Sequence, residues 1–234
     1  MKITELADPA PGRRTTLTRD RVLAAAVQLA DRDGIDSVSM RRLAHELGIE
    51  AMSLYTHVQN KDDLLDGMVD AVIGEIPVDP ADGDWKASLR QTVSAARTVI
   101  LRHPWAPRVI ETRTSPGPAV PQYFDGVIGI LRRGGFSIEA AHHALHILGS
   151  RLLGFTQDLF DDSGDLSPEA AEALAGELGD RLPYVAEMAL AVSHDGDLGG
   201  CDDDAEFEIG LNLILDGLER LATPKPQPGA SERA

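Results

Sequence analysis

The sequence predicts an all-α protein with a small N-terminal three-helix unit followed by a larger helical domain. Apolar residues recur every three or four positions, and Gly or Pro stands at the joints between these periodic segments. No segment keeps the alternation of apolar and polar residues that marks a half-buried strand. The chain has 234 residues, of which 43% are hydrophobic, and this is enough for one small and one larger core.

The first predicted helix begins after Thr18, whose side chain is suited to cap a helix, and ends at Asp33-Gly34. Its apolar stripe consists of Val22, Leu23, Ala26, Val27 and Ala30. A unit of three helices in about fifty residues is marginally stable by itself. We therefore expect it to pack against the part of the chain that follows.

Residues 38–61 have the pattern of a helix-turn-helix that binds DNA. Ser39 is placed to cap the first helix of the motif, and Gly48 is placed to end it in a left-handed conformation. A second helix is predicted from Ala51 to His57. It buries Leu54, with Met52 and Val58 as further candidates for burial. Its other side chains are polar or aromatic and face outward, which is typical of a recognition helix.

A fourth helix is predicted to begin at Asn60-Lys61-Asp62-Asp63, which has the composition of a cap and an acidic first turn. It runs to about Ile76 and connects the helix-turn-helix to the rest of the chain. Further helices are predicted near 85–102, 105–112, 119–133, 137–160, 168–178, 183–193 and 203–222.

Three pieces at matched spacing resemble the Tet-repressor family of bacterial transcription regulators. They are Leu-Gly-Ile at 47–49, Leu-Tyr-Thr-His-Val at 54–58 and Asn-Lys-Asp-Asp-Leu-Leu at 60–65, within a run from Leu17 to about Ile76. The later part of the chain is similar to the regulatory domain of the tetracycline-repressor branch of the family. This second likeness is carried by Trp85, His103 to Pro107, Gly135 to Ser137 and Phe207 to Leu221.

The resemblance implies a C-terminal helical domain for ligand binding and dimerisation behind the DNA-binding domain. The function it implies is a ligand-responsive repressor that binds a palindromic operator as a homodimer and is released by a small-molecule effector. Control by a protein partner is an alternative, and an all-helical enzyme is a more remote one. We expect no catalytic residues, because the sequence has no Gly-x-Ser-x-Gly elbow, no phosphate-binding glycine loop and no complete metal set.

The domain prediction has four parts. They are a disordered arm at 1–16, the helix-turn-helix DNA-binding domain at 17–64, the regulatory and dimerisation domain at 65–223, and a disordered tail at 224–234. The two ends are predicted to be disordered because they are rich in Pro or in polar residues.

The net charge of −16 argues against a protein that binds nucleic acids through phosphate contacts alone. The charge is uneven, however. Residues 13–64 hold eight basic and eight acidic side chains, so the acidity belongs mostly to the remainder. An acidic body repels DNA, and we expect it to suppress non-specific binding.

Eight residues are predicted to contact DNA. Arg41 suits a guanine edge or a phosphate, and Tyr55 and His57 suit backbone phosphates. The short side chains that face base edges and thymine methyl groups are those of Ala51, Met52, Ser53 and Thr56. The resemblance adds Lys61 as a phosphate contact.

The alternative for Tyr55 is that its ring packs on the three-helix core, and the alternative for His57 is that it is merely exposed. Ala51 and Thr56 depart from the tetracycline-repressor branch, which has a more polar residue at the first position and a bulkier aromatic residue at the second. This departure indicates a different operator.

The effector pocket is predicted from aromatic and apolar residues with a few polar tips. The candidates are His103, Trp105, Ile110, Tyr123, Phe124, Val127, His143, His146, Ile147 and Phe155, and each is equally compatible with plain core packing. The tetracycline-repressor branch has a magnesium-binding histidine where Val109 or Ile110 falls here. A magnesium-bound ligand is therefore not expected.

Segments 137–160 and 203–222 are apolar over more than one face and are predicted to form a homodimer. Gly149, Gly154 and Gly210 allow close approach of helices, so the two segments could form half of a four-helix bundle with a second chain. The alternative is that both helices are simply central within one chain.

No cofactor, metal or membrane partner is predicted. His142 and His146 have the i, i+4 spacing of a zinc pair, with His143 beside them, but no third ligand is evident. A single cysteine, Cys201, excludes an internal disulfide, and no stretch reaches the length of about 18 apolar residues needed to span a membrane. The opening residues lack the apolar core of a signal peptide, so a cytoplasmic protein is expected.

Overall fold

A computed structural model describes residues 17–78, 83–114, 117–154 and 203–222, together with positions 173, 176, 181–184 and 186–187. These residues contain nine α-helices and no strand. The helices are α1 Arg19–Asp33, α2 Met40–Leu47, α3 Ala51–Leu54, α4 Lys61–Ile73, α5 Trp85–Arg102, α6 Ala106–Ile110, α7 Ala119–Arg133, α8 Ile138–Gly154 and α9 Asp203–Glu219. The two predicted termini, Cys201, Phe155 and most of the helices predicted near 168–178 and 183–193 lie outside the described residues.

Side chains cap three of the first four helices, as the sequence predicted. The hydroxyl oxygen of Thr18 accepts a hydrogen bond from the Arg21 backbone N–H at 3.3 Å. The Ser39 hydroxyl accepts from the Arg42 N–H at 3.2 Å and begins α2, and the Asn60 side chain accepts from the Asp63 N–H at 2.8 Å and begins α4. Each cap satisfies a donor that the helix leaves free.

The turn of the helix-turn-helix depends on Gly48. Its φ of 64° lies in the left-handed region that glycine adopts at little cost, and its N–H bonds back to carbonyl oxygens of α2. The half-buried Ile49 follows and packs against the core. The predicted end of α2 at Gly48 is confirmed.

The second helix of the helix-turn-helix, α3, is shorter than predicted. It ends at Leu54, and the chain continues as a turn to His57, with the backbone N–H groups of both His57 and Val58 bonded to the Leu54 carbonyl. The Thr56 hydroxyl donates to the Ser53 carbonyl at 2.7 Å, a local bond that competes with the helical pattern. Val58 is 1% exposed. The chain must turn back into the core at Val58, and this limits the helix to one turn.

Two apolar cores organise the described chain. The first is formed by α1 to α4, the C-terminal half of α5 and α6, and the second by the N-terminal half of α5 with α7, α8 and α9. The three-helix unit therefore packs on the helices that follow it, as its small size requires. The boundary predicted after residue 64 stays a prediction, since the first core continues across it. No helix of the described residues has the length and apolar character needed to cross a membrane.

The helices α8 and α9 divide their apolar residues between the second core and the surface. Ala141, Ala144 and Leu148 of α8 are buried in that core. The residues of α9 buried with them are Phe207, Leu211, Leu215 and Leu218. Packing within one chain therefore accounts for one face of each helix, whereas Ile147 of α8 and Leu213 of α9 are among the apolar residues exposed on the other faces.

Candidate nucleic-acid interface and ligand cavity

Six of the eight residues predicted to contact DNA are exposed on the helix-turn-helix, whereas Ala51 packs partly against the first core. Ala51 and His57 are half-buried. The exposed members of the set are Arg41, Met52, Ser53, Tyr55, Thr56 and Lys61. Met52 is 76% exposed and Tyr55 is 47% exposed, and neither belongs to the residues that build the first core. Both positions suit contact with a partner surface better than core packing.

Arg41 and Lys61 are the cations of this surface that remain available. Neither side chain makes a hydrogen bond or an ion pair with another residue in the described ranges. Two neighbouring arginines are occupied: Arg42 is bound to Asp33, and Arg32 binds Glu46 at 2.8 Å. An unpaired guanidinium or ammonium group can bind a phosphate or a base edge without first breaking an internal pair.

Arg19 and Asp63 fix the end of the recognition segment, and sequence analysis missed both. The Arg19 guanidinium donates to the two carboxylate oxygens of Asp63 at 2.6 and 3.1 Å and to the His57 carbonyl at 2.7 Å. Asp63 also accepts the Gln59 backbone N–H at 2.7 Å. This clamp ties α1 and α4 to the turn after α3. The hydrogen bond from Arg19 lowers the pKa of the Asp63 carboxyl, and the hydrogen bond from Asp63 raises the pKa of Arg19.

The lowered pKa of Asp63 predicts a pH-dependent contribution to stability. Because the folded-state pKa lies below the ordinary 3.8, the contribution is present above that value and is lost as the pH falls through the lowered pKa. Asp63→Asn should therefore lower the free energy of unfolding at neutral pH. At acid pH the free energies of unfolding of the variant and the native protein should become equal. Urea unfolding over a pH series measures this difference. Glu50→Gln, which removes an exposed carboxylate with no capping bond, is the control. A difference that stays constant from neutral to acid pH would contradict the role of the clamp.

An interdomain contact joins the C-terminal end of α1 to the segment after α5. One carboxylate oxygen of Asp31 lies 2.8 Å from Nδ1 of His103 and accepts the indole N–H of Trp105 at 2.7 Å. A carboxylate can only accept, so Nδ1 of His103 carries the proton. His103 and Trp105 are 6% and 5% exposed. Both were predicted as pocket residues, but Nδ1 of His103 and Nε1 of Trp105 face Asp31 of α1, and neither residue lines the cavity described below.

A second set of polar contacts holds α4 to the segment between α6 and α7. Arg113 binds the Asp62 carboxylate at 3.1 Å and lies 3.4 Å from the Asp66 carboxylate. At the other end of the segment, the backbone N–H of Ala119 donates to Asp70 at 2.6 Å. Three acidic residues of α4 are thus attached to one segment.

A cavity of about 120 Å³ lies between the two cores. Val69 and Ile73 of α4 form one wall together with Ile76. Val93 and Ile100 of α5 form another wall. The third wall belongs to α8, where Leu148 and Gly149 lie three and four positions after Leu145 and so share its face of the helix. We call this space the α4 cavity. It is where a bound molecule would touch both the helix that leads to the recognition surface and the helices of the second core.

Four residues of the predicted pocket line the α4 cavity: Ile110, Tyr123, Phe124 and Val127. His143, His146 and Ile147 are exposed on α8 and do not line it, because α8 turns Ala141, Ala144 and Leu148 inward instead. Phe155 lies outside the described residues. Sequence analysis missed the wall from α4, although Val69 and Ile76 continue its apolar stripe. It also missed Val120.

The environment of the α4 cavity penalises charge. Desolvation raises the pKa of the Tyr123 phenol to about 12, because burial destabilises the phenolate. The three histidines on α8 are elsewhere, with ring centroids of His142 4.6 Å from His146 and 5.7 Å from His143. Among the described residues, no group of three potential ligands is arranged to hold a metal ion.

Two family models cover most of this architecture. The model described as bacterial regulatory proteins, tetR family, matches residues 22–68, which include the helix-turn-helix. The model described as tetracyclin repressor-like, C-terminal domain, matches residues 76–222. The chain belongs to the TetR family. The predicted family, branch and all-α fold are confirmed, and the TetR family consists of transcription regulators.

Known TetR-family proteins resemble the chain over most of its length. The HTH-type transcriptional repressor DrrR1 of Streptomyces coeruleorubidus is 34% identical over 225 residues, 93% of this chain and 83% of that protein. The class A tetracycline repressor from transposon 1721 of Escherichia coli is 31% identical over 212 residues, 88% of this chain and 92% of that protein. The crystal structure of ActR from Streptomyces coelicolor in complex with (S)-DNPA matches with a TM-score of 0.69 and 31% identity, covering 89% of this chain and all of that one.

Proposed function

We propose that this TetR-family protein is a transcriptional repressor that leaves its operator when a small molecule occupies the α4 cavity. The position of the cavity carries this proposal, because α4 forms one wall and also begins at the recognition surface with Lys61. Named relatives support it, since DrrR1 is a repressor and ActR was crystallised with a small molecule. A ligand site that contacts the connecting helix can bias the two states of the regulator.

The operator contacts are assigned to the exposed surface of the helix-turn-helix. Arg41 and Lys61 provide unpaired positive charges, and the exposed side chains of α3 provide contacts to bases. The eight basic residues of 13–64 are balanced by eight acidic ones, so a single domain attracts DNA only weakly over long distances. Two domains acting together are therefore needed for tight binding.

A homodimer would bring two recognition helices to one palindromic site. Exposed apolar side chains on α8 and α9 support this assembly, among them Ile147, 43% exposed, Ile209, 51% exposed, and Leu213, 69% exposed. Residues 209 and 213 are four positions apart and lie on the side of α9 opposite to its buried residues. Two recognition helices roughly 34 to 36 Å apart would enter successive major grooves.

Release follows from a change in α4. A ligand between α4 and the second core would displace either α4 or the α6–α7 segment that Arg113 and Ala119 attach to it. Because α4 begins at the recognition surface, a tilt would change the separation of the two recognition helices. A preference of the ligand for the tilted state of about 1.4 kcal/mol would change operator affinity about tenfold.

Gel-shift binding to the DNA upstream of its own gene tests the proposal, followed by release with a panel of small molecules. Specific binding at physiological salt and release by at least one compound are expected. Release only by a protein from the cell would instead support control by a protein partner. Failure to bind any upstream DNA, with or without compounds, would reject the repressor function.

Arg41→Ala and Lys61→Ala are expected to separate specificity from affinity. Loss of Lys61 should weaken binding to all sequences alike and lower the slope of log affinity against log salt by about one, because one phosphate contact is lost. Loss of Arg41 should relax the preference at particular base pairs. Binding to a set of operator variants over a salt series measures both. Arg42→Ala is the matched control, since that side chain is bound to Asp33. Equal losses on every operator variant would show that Arg41 binds only phosphate.

A further inference from the structure

We propose that the effector of the α4 cavity is an uncharged, mainly hydrocarbon molecule of about one ring that carries at most one hydrogen-bonding group. This inference rests on the proposed function and specifies its ligand class. It comes from the walls of the cavity, from the state of Tyr123 and from the volume available. Each of these observations restricts the chemistry of the ligand in a different way.

The walls exclude a charged ligand. Among the residues that the structure describes, every side chain that lines the cavity is aliphatic or aromatic, and none carries a charge. An ion in this space would lose its hydration and find no counter-charge in return. A neutral hydrocarbon has no such hydration free energy to lose, and its transfer from water into an apolar cavity is favourable.

Among the described side chains that line the cavity, Tyr123 alone has a polar atom. Its hydroxyl makes no hydrogen bond with the described residues, so it is available to one oxygen or nitrogen of a ligand. The phenol is a neutral donor at physiological pH, and burial raises its pKa further, to about 12, because the surroundings destabilise the phenolate. One neutral partner for Tyr123 is compatible with this site, and a carboxylate is not.

The volume sets the size of the ligand. An apolar cavity of about 150 Å³ engineered in another protein takes up benzene, and the α4 cavity has about 120 Å³. Phe124 lines the cavity and is 45% exposed, so part of this residue also reaches solvent. A single ring with a short substituent fits once Phe124 and its neighbours adjust. A larger molecule would require the walls to separate further.

Four probes of matched size test the proposal on the full-length protein: ethylbenzene, para-ethylphenol, para-ethylbenzoate and para-ethylbenzylammonium. The two neutral probes should raise the temperature of thermal unfolding, and the two ions should bind at least about 100-fold more weakly. Tyr123→Phe should remove any advantage of para-ethylphenol over ethylbenzene. Equal binding of either ion, or no binding by any of the four at millimolar concentration, would overturn the proposal.

Filling the cavity tests the location of the site. A Cβ added at Gly149 would meet no atom within 4 Å, so Gly149→Leu places a side chain in open space on the cavity face of α8. This variant should lose the thermal shift with both neutral probes, and Val120→Phe should do the same if the first variant fails to fold. Thr98→Leu, on the exposed face of α5, is the matched control. Binding that survives both cavity variants would place the site elsewhere and overturn the proposal.

Operator release separates this proposal from the proposed function. If ions release the operator and bind in the cavity while neutral probes do neither, the ligand switch stands and the ligand class is wrong. If neutral probes bind in the cavity but no compound of any charge releases the operator, the ligand class stands and the ligand switch is wrong.

Discussion

Leu213→Arg is expected to produce a monomer whose operator affinity is at least about 100-fold lower than that of the native protein. Leu213 is 69% exposed on α9, and a charge there would be desolvated in an interface between two copies of the chain. A monomer engages one half-site only, so it loses the gain that comes from two linked recognition helices. Light scattering after size-exclusion chromatography measures the assembly, and gel shifts on a palindromic and a half-site operator measure the binding.

Gln91→Arg is the matched control for this variant, because it adds the same charge at an exposed position of α5 and so has the same general attraction to DNA. Leu218 is not a suitable test, since it is 2% exposed in the second core and a charge there would unfold the domain. A Leu213→Arg protein that stays dimeric, or a monomer that binds the full operator as tightly, would refute the proposed interface.

Asp31→Ala should lower the free energy of unfolding by about 2–4 kcal/mol, because it leaves two buried donors without an acceptor. Those donors are the ring N–H of His103 and the indole N–H of Trp105, and both bond to the same oxygen of Asp31. Asp31→Asn keeps an oxygen at that place and should cost less than Asp31→Ala. Urea unfolding of the native protein, Asp31→Ala and Asp31→Asn measures the three free energies of unfolding.

Asp36→Ala is the control, because it also removes a carboxylate that contacts the helices following the helix-turn-helix domain. Asp36 pairs with Arg108 at 3.1 Å, but the two side chains are 80% and 71% exposed, so no measurable loss is expected. If Asp36→Ala lowers the free energy of unfolding as much as Asp31→Ala does, the interdomain contact of Asp31 does not stabilise the protein more than an exposed ion pair.

The sequence predicted the helix-turn-helix because its signals are local. The capping residues Thr18, Ser39 and Asn60 and the turn residue Gly48 act within three or four positions of the chain, so their chemistry is visible without a structure. The length of α3 was not predictable in the same way. Its end depends on Val58 returning to a core that distant residues build.

The α4 cavity was only half predictable. Ile110, Tyr123 and Val127 were proposed because they are apolar or aromatic, yet the same reasoning placed His103 and Trp105 in the pocket. Residue type could not separate these two groups. The difference arises because Asp31, more than seventy positions away in the chain, accepts the ring N–H groups of both.

By itself, the sequence determined the family, the all-helical fold and the exposed face of the helix-turn-helix, since periodicity, caps and motif spacing are properties of neighbouring residues. Only the tertiary structure decided which cations are free. Arg41 and Arg42 are adjacent and chemically identical, but Asp33 lies beside Arg42 alone. The tertiary structure also decided that α4, α5 and α8 enclose a cavity. A cavity lies between segments that are far apart in the chain, so no local sequence pattern predicts it.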